Sequence, residues 1–221
     1  MIKAVIFDMD GVLVDTADYH FLSWQHVATE LGISIGPEVK DGIKGLSRRD
    51  SLNLILGTTS LELSNHRKQE LRDLKNKVFL DSLPLDPKKI ILDGVLSFIE
   101  RLKTNSIPMA VASSSKNAHF ILGKTKLDAH FKSILDSTNT FRSKPHPEVF
   151  INSARNLQIS EQRCLVIEDG YNGIKAAKKA SFPVLGIGNP SILHEADMVI
   201  DSLQDFGLDM FENHAGRQAV D

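Results

Sequence analysis

The sequence predicts an α/β protein: a parallel sheet with helices on both faces, and an inserted all-helical cap domain after the first strand. Short apolar runs at 4–8, 107–112, 133–136, 164–168, 183–187 and 197–200 alternate with helical patterns, the signature of strands joined by helical crossovers. The first run is continuously apolar and rich in β-branched residues, as in a strand buried on both faces. Between about residues 16 and 85 the strand signal vanishes and apolar residues recur at helical spacing. With 221 residues and 42% hydrophobic content the chain can bury a substantial core. The expected division is a core of residues 1–15 and 87–221 and a helical cap of residues 16–86.

The first strand, through Val5, Ile6 and Phe7, places Asp8 at its carboxyl end, where open α/β sheets bind ligands. Alternation sends Asp8 and Asp10 to the same side, where two carboxylates repel unless a cation or proton separates them. Gly11 permits the tight turn that follows. Asp-x-Asp-Gly also opens calcium loops, but Val12, Leu13 and Val14 stand where oxygen ligands are needed, and Tyr19 where the closing Glu belongs.

In the helical stretch, Phe21, Trp24, Val27, Ala28 and Leu31 recur every three or four residues, and Gly32 is a helix stop. Leu52, Ile55 and Leu56 continue the spacing after Asp50-Ser51. The charged stretch from Glu62 to Lys77, with Leu71, Leu74 and Val78 on one face, predicts a solvated helix. Ser82 to Pro87 reads as the returning linker; two connections between cap and core invite hinge closure. Further on, the strand ending at Ala112 leads to Ser113, and Leu165-Val166-Ile167 leads to Glu168-Asp169.

A net charge of −2 gives no electrostatic reason to expect nucleic acid. The single cysteine, Cys164, has no internal disulfide partner and reads as a small buried hydrophobe. Only a four-residue apolar run, Ala4 to Phe7, precedes Asp8, so no signal peptide or membrane span is expected. A cytoplasmic monomer without membrane or nucleic-acid partners is the expectation.

Asp8-Met9-Asp10-Gly11 with Asp15-Thr16, then Ser113, Lys144 in Ser143-Lys144-Pro145-His146-Pro147, and Glu168-Asp169-Gly170 resemble, in order, the four motifs of the haloacid dehalogenase superfamily of phosphotransferases. The resemblance implies a Rossmann-like core, Asp8 as nucleophile forming an aspartyl phosphate, and Mg2+ held by Asp8, Asp169 and Glu168 with the backbone carbonyl of Asp10. It leaves the Asp10 side chain free as general acid and base, with Ser113 hydrogen-bonding the phosphoryl group and Lys144 balancing its charge.

The stretches Ile43 to Leu52 and Val111 to Asn117, with Tyr19-His20-Phe21 and Trp24, resemble the β-phosphoglucomutase family within that superfamily. This implies a sugar-phosphate substrate, interconversion of β-glucose 1-phosphate and glucose 6-phosphate, and β-glucose 1,6-bisphosphate as the phosphorylating intermediate. Two phosphate sites are then required. Arg48 suits the distal one because its fork binds phosphate bidentately, with Arg49 as its neighbouring rival. Ser115, Lys116 and Asn117 would complete that site, Ser114 is a further substrate-binding candidate, and Lys44, Gly45, Leu46 and Ser51 would line the sugar pocket. Lys75 matches an additional cap lysine. Thr16 and His20 couple closure to Asp10, and Trp24 either borders the sugar or packs in the core. Gly170 and Asp93-Gly94 depart from the family pattern; Gly170 is expected to add backbone freedom and Asp93 to loosen a turn. A sugar-phosphate phosphatase and a non-catalytic phosphate sensor are the alternatives. Loss of Asp8 or Asp10 would mark the sensor, and both are present.

Overall fold

The computed structural model describes residues 1–139 and 142–218. Six parallel strands stand in the order β3-β2-β1-β4-β5-β6. They are β1 (Ala4–Phe7), β2 (Met109–Ala112), β3 (Ser133–Leu135), β4 (Cys164–Glu168), β5 (Val184–Ile187) and β6 (Met198–Ile200). All six expected runs form strands, with ends trimmed. Pro108, which lacks an N–H, stays outside the ladder at the start of β2 and only accepts, from the Val5 N–H at 3.1 Å.

Alternation along the strands divides two cores. Val5, Phe7, Met109, Val111, Leu165 and Ile167 face one side, against α5 (Val95–Thr104), α6 (Ala118–Thr125) and α9 (Leu208–Gln218). Ala4, Ile6, Ala110, Ala112, Cys164 and Val166 face the other, against α7 (Glu148–Leu157) and α8 (Tyr171–Lys179). The strand order reverses between β1 and β4, which places a crevice outside their carboxyl ends.

Four helices are inserted between β1 and α5: α1 (Ala17–Glu30), α2 (Pro37–Ile43), α3 (Arg48–Gly57) and α4 (Asn65–Ser82). They share their own apolar centre, built on Trp24, Val27, Leu52, Ile55 and Leu71. The face that α4 buries is Leu71, Lys75 and Phe79, while Leu74 and Val78 are half-buried flanks. The charged helix is therefore less solvated than its composition predicts, because the i, i+4, i+8 row lies against α1.

Where the insertion leaves and rejoins the sheet layer, its two ends are stitched together. The Asp15 N–H donates to the Ile90 carbonyl at 2.6 Å and the Leu92 N–H to the Leu13 carbonyl at 3.1 Å. Val14 and Ile91 form an antiparallel bridge between these bonds. Among the described residues, no buried polar side-chain atom lacks a hydrogen-bond partner, and no helix is long and apolar enough to cross a membrane.

Candidate active site

β1 stops at Phe7, and from the turn that follows Asp8 and Asp10 reach the same cavity but take different partners. The Leu13 and Val14 amides return to the Met9 carbonyl at 2.9 and 3.1 Å, and the Gly11 amide donates to the Val14 carbonyl at 2.8 Å. Gly11 takes φ +88°, and a Cβ there would lie 2.2 Å from Asp169 Oδ2. The turn thus needs glycine both for its conformation and for the approach of the acidic residue beyond β4.

Asp8 joins Glu168 and Asp169, whose carboxylate oxygens can all lie within 4.8 Å of one another. The Lys144 ammonium, fully buried, donates to Asp8 Oδ1 at 2.5 Å, to Glu168 Oε1 at 2.6 Å and to the Ala112 carbonyl at 3.0 Å. Burial disfavours its charge, but Asp8 and Glu168 hold Lys144 above the ordinary lysine value. Burial pushes the Asp8 carboxyl well above the usual range against the pull of Lys144, and Glu168, Asp169 and Asp10 add to the rise. Asp169 is pushed up to about 7 by burial and by Glu168, partly offset by Lys44, whose Nζ lies 3.3 Å from its Oδ2. Three buried carboxylates against these two lysines leave the cluster short of positive charge, and hard oxygen donors suit a magnesium ion.

Asp10 turns instead toward the insertion. Its Oδ1 accepts from the Thr16 hydroxyl and faces His20 Nε2 at 3.3 Å. Thr16 is the N-cap of α1, yet its hydroxyl makes no cap bond; it serves Asp10. Burial opposes charge on Asp10, but His20, Thr16 and Lys75 together hold its carboxyl below the usual range. The Asp10 carboxylate is absent from the acidic cluster among the described residues.

A cavity of about 890 Å3 separates the sheet from the inserted helices. Its walls include Asp8, Asp10 and Asp169 on the sheet side and His20, Lys44, Gly45, Leu46, Arg48, Ser51 and Lys75 on the helical side. Ser114, Ser115 and Lys116 also reach it, but the Ser114 hydroxyl is already engaged, donating to the Gly45 carbonyl at 2.7 Å. Trp24 is 2% exposed, packed within the helical core, and also borders the cavity. Thr16, Ser113, Asn117, Lys144 and Glu168 are not among the residues that line it. Ser113 Oγ accepts from the Ser115 amide at 3.0 Å, which orders the loop after β2.

Both Arg48 and Arg49 line the cavity, Arg48 half-buried and Arg49 exposed. Arg48 Nη2 donates to Asn76 Oδ1 at 2.8 Å, and Asn117 Nδ2 donates to the same oxygen at 2.9 Å. Asn76 thereby brings together two groups that sequence reading had only paired by resemblance. Its own role was not legible, because an asparagine in a charged helix carries no signal. The same holds for Arg72 and Arg142, which also border the cavity.

Gly170 has φ −115°, extended backbone open to any residue. The added freedom expected there is unused. A Cβ at Gly170 would press at 3.3 Å on the backbone of Lys44, so glycine serves the close approach of the insertion. Asp93 is exposed, and the backbone after it turns through Gly94 at φ +82° into α5. Cys164 is buried, and burial pushes its thiol up to about 12, which suits packing rather than nucleophilic chemistry.

Comparison with known proteins agrees with this geometry. Residues 5–187 match the haloacid dehalogenase-like hydrolase family. The chain is 36% identical over 210 residues to a β-phosphoglucomutase of Bacillus subtilis, covering 94% of this chain and 93% of that protein. It is 29% identical over 182 residues to a phosphorylated carbohydrates phosphatase of Thermotoga maritima, covering 80% of this chain and 81% of the other. A crystal structure of β-phosphoglucomutase from Clostridium difficile superposes with a TM-score of 0.92 at 34% identity over the full length of both chains. The chain belongs to the haloacid dehalogenase-like hydrolase family, on its β-phosphoglucomutase branch.

Proposed function

We propose that the protein is a β-phosphoglucomutase, converting β-glucose 1-phosphate to glucose 6-phosphate through an aspartyl phosphate on Asp8 and a 1,6-bisphosphate. The observation that carries this reading is the presence of two anion-binding groups on one cavity. One is the Asp8 centre backed by Lys144, and the other is Arg48, linked through Asn76 to Asn117 and joined on the wall by Lys116. A phosphatase needs only the first. A mutase must also grip the idle phosphate while the sugar is turned round.

Asp8 attacks phosphorus, and Lys144 neutralises charge on the nucleophile and the transferring group. Asp10, kept ionised by its partners, accepts the proton of the sugar hydroxyl that attacks the phosphoenzyme, and returns it to the leaving oxygen on reversal. Asp8, Glu168 and Asp169, with the Asp10 carbonyl, would hold a magnesium ion, which offsets carboxylate–phosphate repulsion when bound. Residues 16–86 act as a cap on a core of residues 1–15 and 87–221, and closure excludes water that would otherwise hydrolyse the phosphoenzyme. A place in cytoplasmic carbohydrate metabolism fits the lone buried Cys164.

The test is phosphorus NMR of the protein with magnesium, β-glucose 1-phosphate and a trace of the 1,6-bisphosphate. Glucose 6-phosphate that accumulates in dependence on the trace, with little free phosphate, is the expected result. Free phosphate without isomerised sugar overturns the mutase in favour of a phosphatase, a reading that the Thermotoga maritima relative keeps in view.

A further inference from the structure

Asp50, on the cavity wall, belongs to neither anion-binding group. Asp50 sits in the first turn of α3, two residues after Arg48. Locally it completes a helix cap: the Asp50 amide donates to Ser47 Oγ at 3.2 Å, and the Ser47 hydroxyl donates to Asp50 Oδ2 at 2.5 Å. That same Oδ2 also accepts the hydroxyl of Ser143, 93 residues away on the sheet side. Ser143 immediately precedes Lys144, whose ammonium is bonded to Asp8 and Glu168. A short covalent path therefore runs from Arg48 along α3 to Asp50, across one hydrogen bond, and on to Lys144.

We propose that Asp50 is a positioning residue that acts through Ser143 on the segment carrying Lys144. The bond joins the inserted helices to the sheet layer, so it exists only while the helices lie over the sheet. A hydroxyl donating to a carboxylate is charge-assisted and stronger than a neutral pair. Its acceptor is already oriented by the Ser47 hydroxyl, so little freedom is lost when Ser143 docks. The consequence is that the segment bearing Lys144 is held most firmly when Arg48 is brought over the cavity. Rigidity at the charge-balancing lysine then accompanies closure. This proposal rests on the reading of the inserted helices as a closing cap.

Ser143→Ala removes the cross-link and leaves both Ser47–Asp50 bonds intact; Asp50→Ala removes the cross-link and the bond from the Ser47 hydroxyl, while the backbone amide of residue 50 still donates to Ser47 Oγ. The first measurement is hydrogen exchange of the peptide covering residues 142–148, which reports on the contact whatever reaction the protein performs. Faster exchange in Ser143→Ala, with no further increase in the Asp50→Ala/Ser143→Ala double variant, is expected. The second is steady-state turnover of β-glucose 1-phosphate. We expect kcat to fall about tenfold in Ser143→Ala with KM within about twofold, a melting temperature unchanged, and double-variant losses less than additive.

Unchanged exchange in Ser143→Ala overturns the proposal, as does raised exchange with wild-type kcat. Fully additive losses also overturn it, because they would make the two residues independent. Should the wild-type protein hydrolyse sugar phosphate instead of isomerising it, the mutase reading falls, and the same kcat comparison is read on that hydrolysis.

Discussion

Lys75 Nζ lies 2.5 Å from Nδ1 of His20, whose Nε2 faces Asp10 Oδ1 at 3.3 Å. A lysine donating to Nδ1 leaves the imidazole proton on Nε2, directed at Asp10. Burial and Lys75 lower the His20 pKa against the pull of Asp10, consistent with that neutral tautomer. The His20 ring stacks on Phe79 at 4.1 Å between centroids, so the relay is held by packing as well as by hydrogen bonds.

Burial and the nearby Arg48 bring the Lys75 pKa down to about 7, with Asp10 pulling the other way. Between pH 7 and the ordinary lysine value of about 10.4 the unfolded chain binds the proton and the folded one does not. Stability from this group therefore rises with pH across that window, by up to about 1.4 kcal/mol per unit. The stability advantage of Lys75→Met over wild type should be widest below pH 7 and shrink as pH climbs to 10. Urea midpoints across that range check it; a pH-independent gap contradicts the assignment.

Asp169, pushed up to about 7 by burial and Glu168, must lose its proton before it can bind a cation. Without metal, the folded state holds this proton between the ordinary carboxylate range and pH 7, so the group's contribution to stability falls as pH rises there. Magnesium affinity should accordingly be about tenfold weaker at pH 6 than at pH 8. Calorimetric titration at the two pH values, with proton release read from buffers of different ionisation enthalpy, measures both quantities. A flat affinity would remove Asp169 from the ligand set.

Asp8→Asn should leave the fold intact by circular dichroism and lower turnover by at least about a thousandfold, because the amide cannot form the phosphoenzyme. Acid-quenched mass spectrometry after acetyl phosphate should show phosphate on the wild type and none on the variant. A variant that turns over normally would displace Asp8 as nucleophile.

Arg48→Ala should retain phosphorylation by acetyl phosphate and lose about a hundredfold in kcat/KM for isomerisation. That is about 2.7 kcal/mol, within the range for a charge-assisted bidentate contact. Arg48→Lys should recover little, since a point charge cannot reproduce the fork. If Arg49→Ala carries the loss instead, the exposed neighbour is the phosphate ligand.

What the sequence made legible was whatever short-range chemistry carries. Val5-Ile6-Phe7 announces a buried strand because each residue lacks polar demand, and Asp8 stands out because it ends such a run. Lys144, alone in a loop, is anonymous by composition, and only the order of motifs gave it a role. Asn76 and the Asp50–Ser143 pair stayed hidden for another reason. Ser47-x-x-Asp50 reads as a complete local cap, and nothing in it announces a partner 93 residues away. Lys75 was credited to the helix by resemblance, but its burial beneath His20 and over Phe79 depends on how α1 packs on α4. Strand alternation placed Asp8 and Asp10 on one side but could not foresee that Asp8 pairs with Lys144 and Asp10 with Thr16 and His20.

The stitch at Val14 and Ile91 gives the helical insertion the status of a ring closed at its clasp. Everything from Thr16 to Lys89 leaves and rejoins the sheet layer at one pair of adjoining backbone segments, so the order of the strands does not depend on the ring's circumference. For a flexible ring, doubling the circumference raises the closure cost by only about 0.6 kcal/mol. The connections between the inserted helices can therefore be lengthened at little cost while the six strands keep their register, provided that the contacts of Thr16, Lys44 and Asp50 with the sheet side are kept.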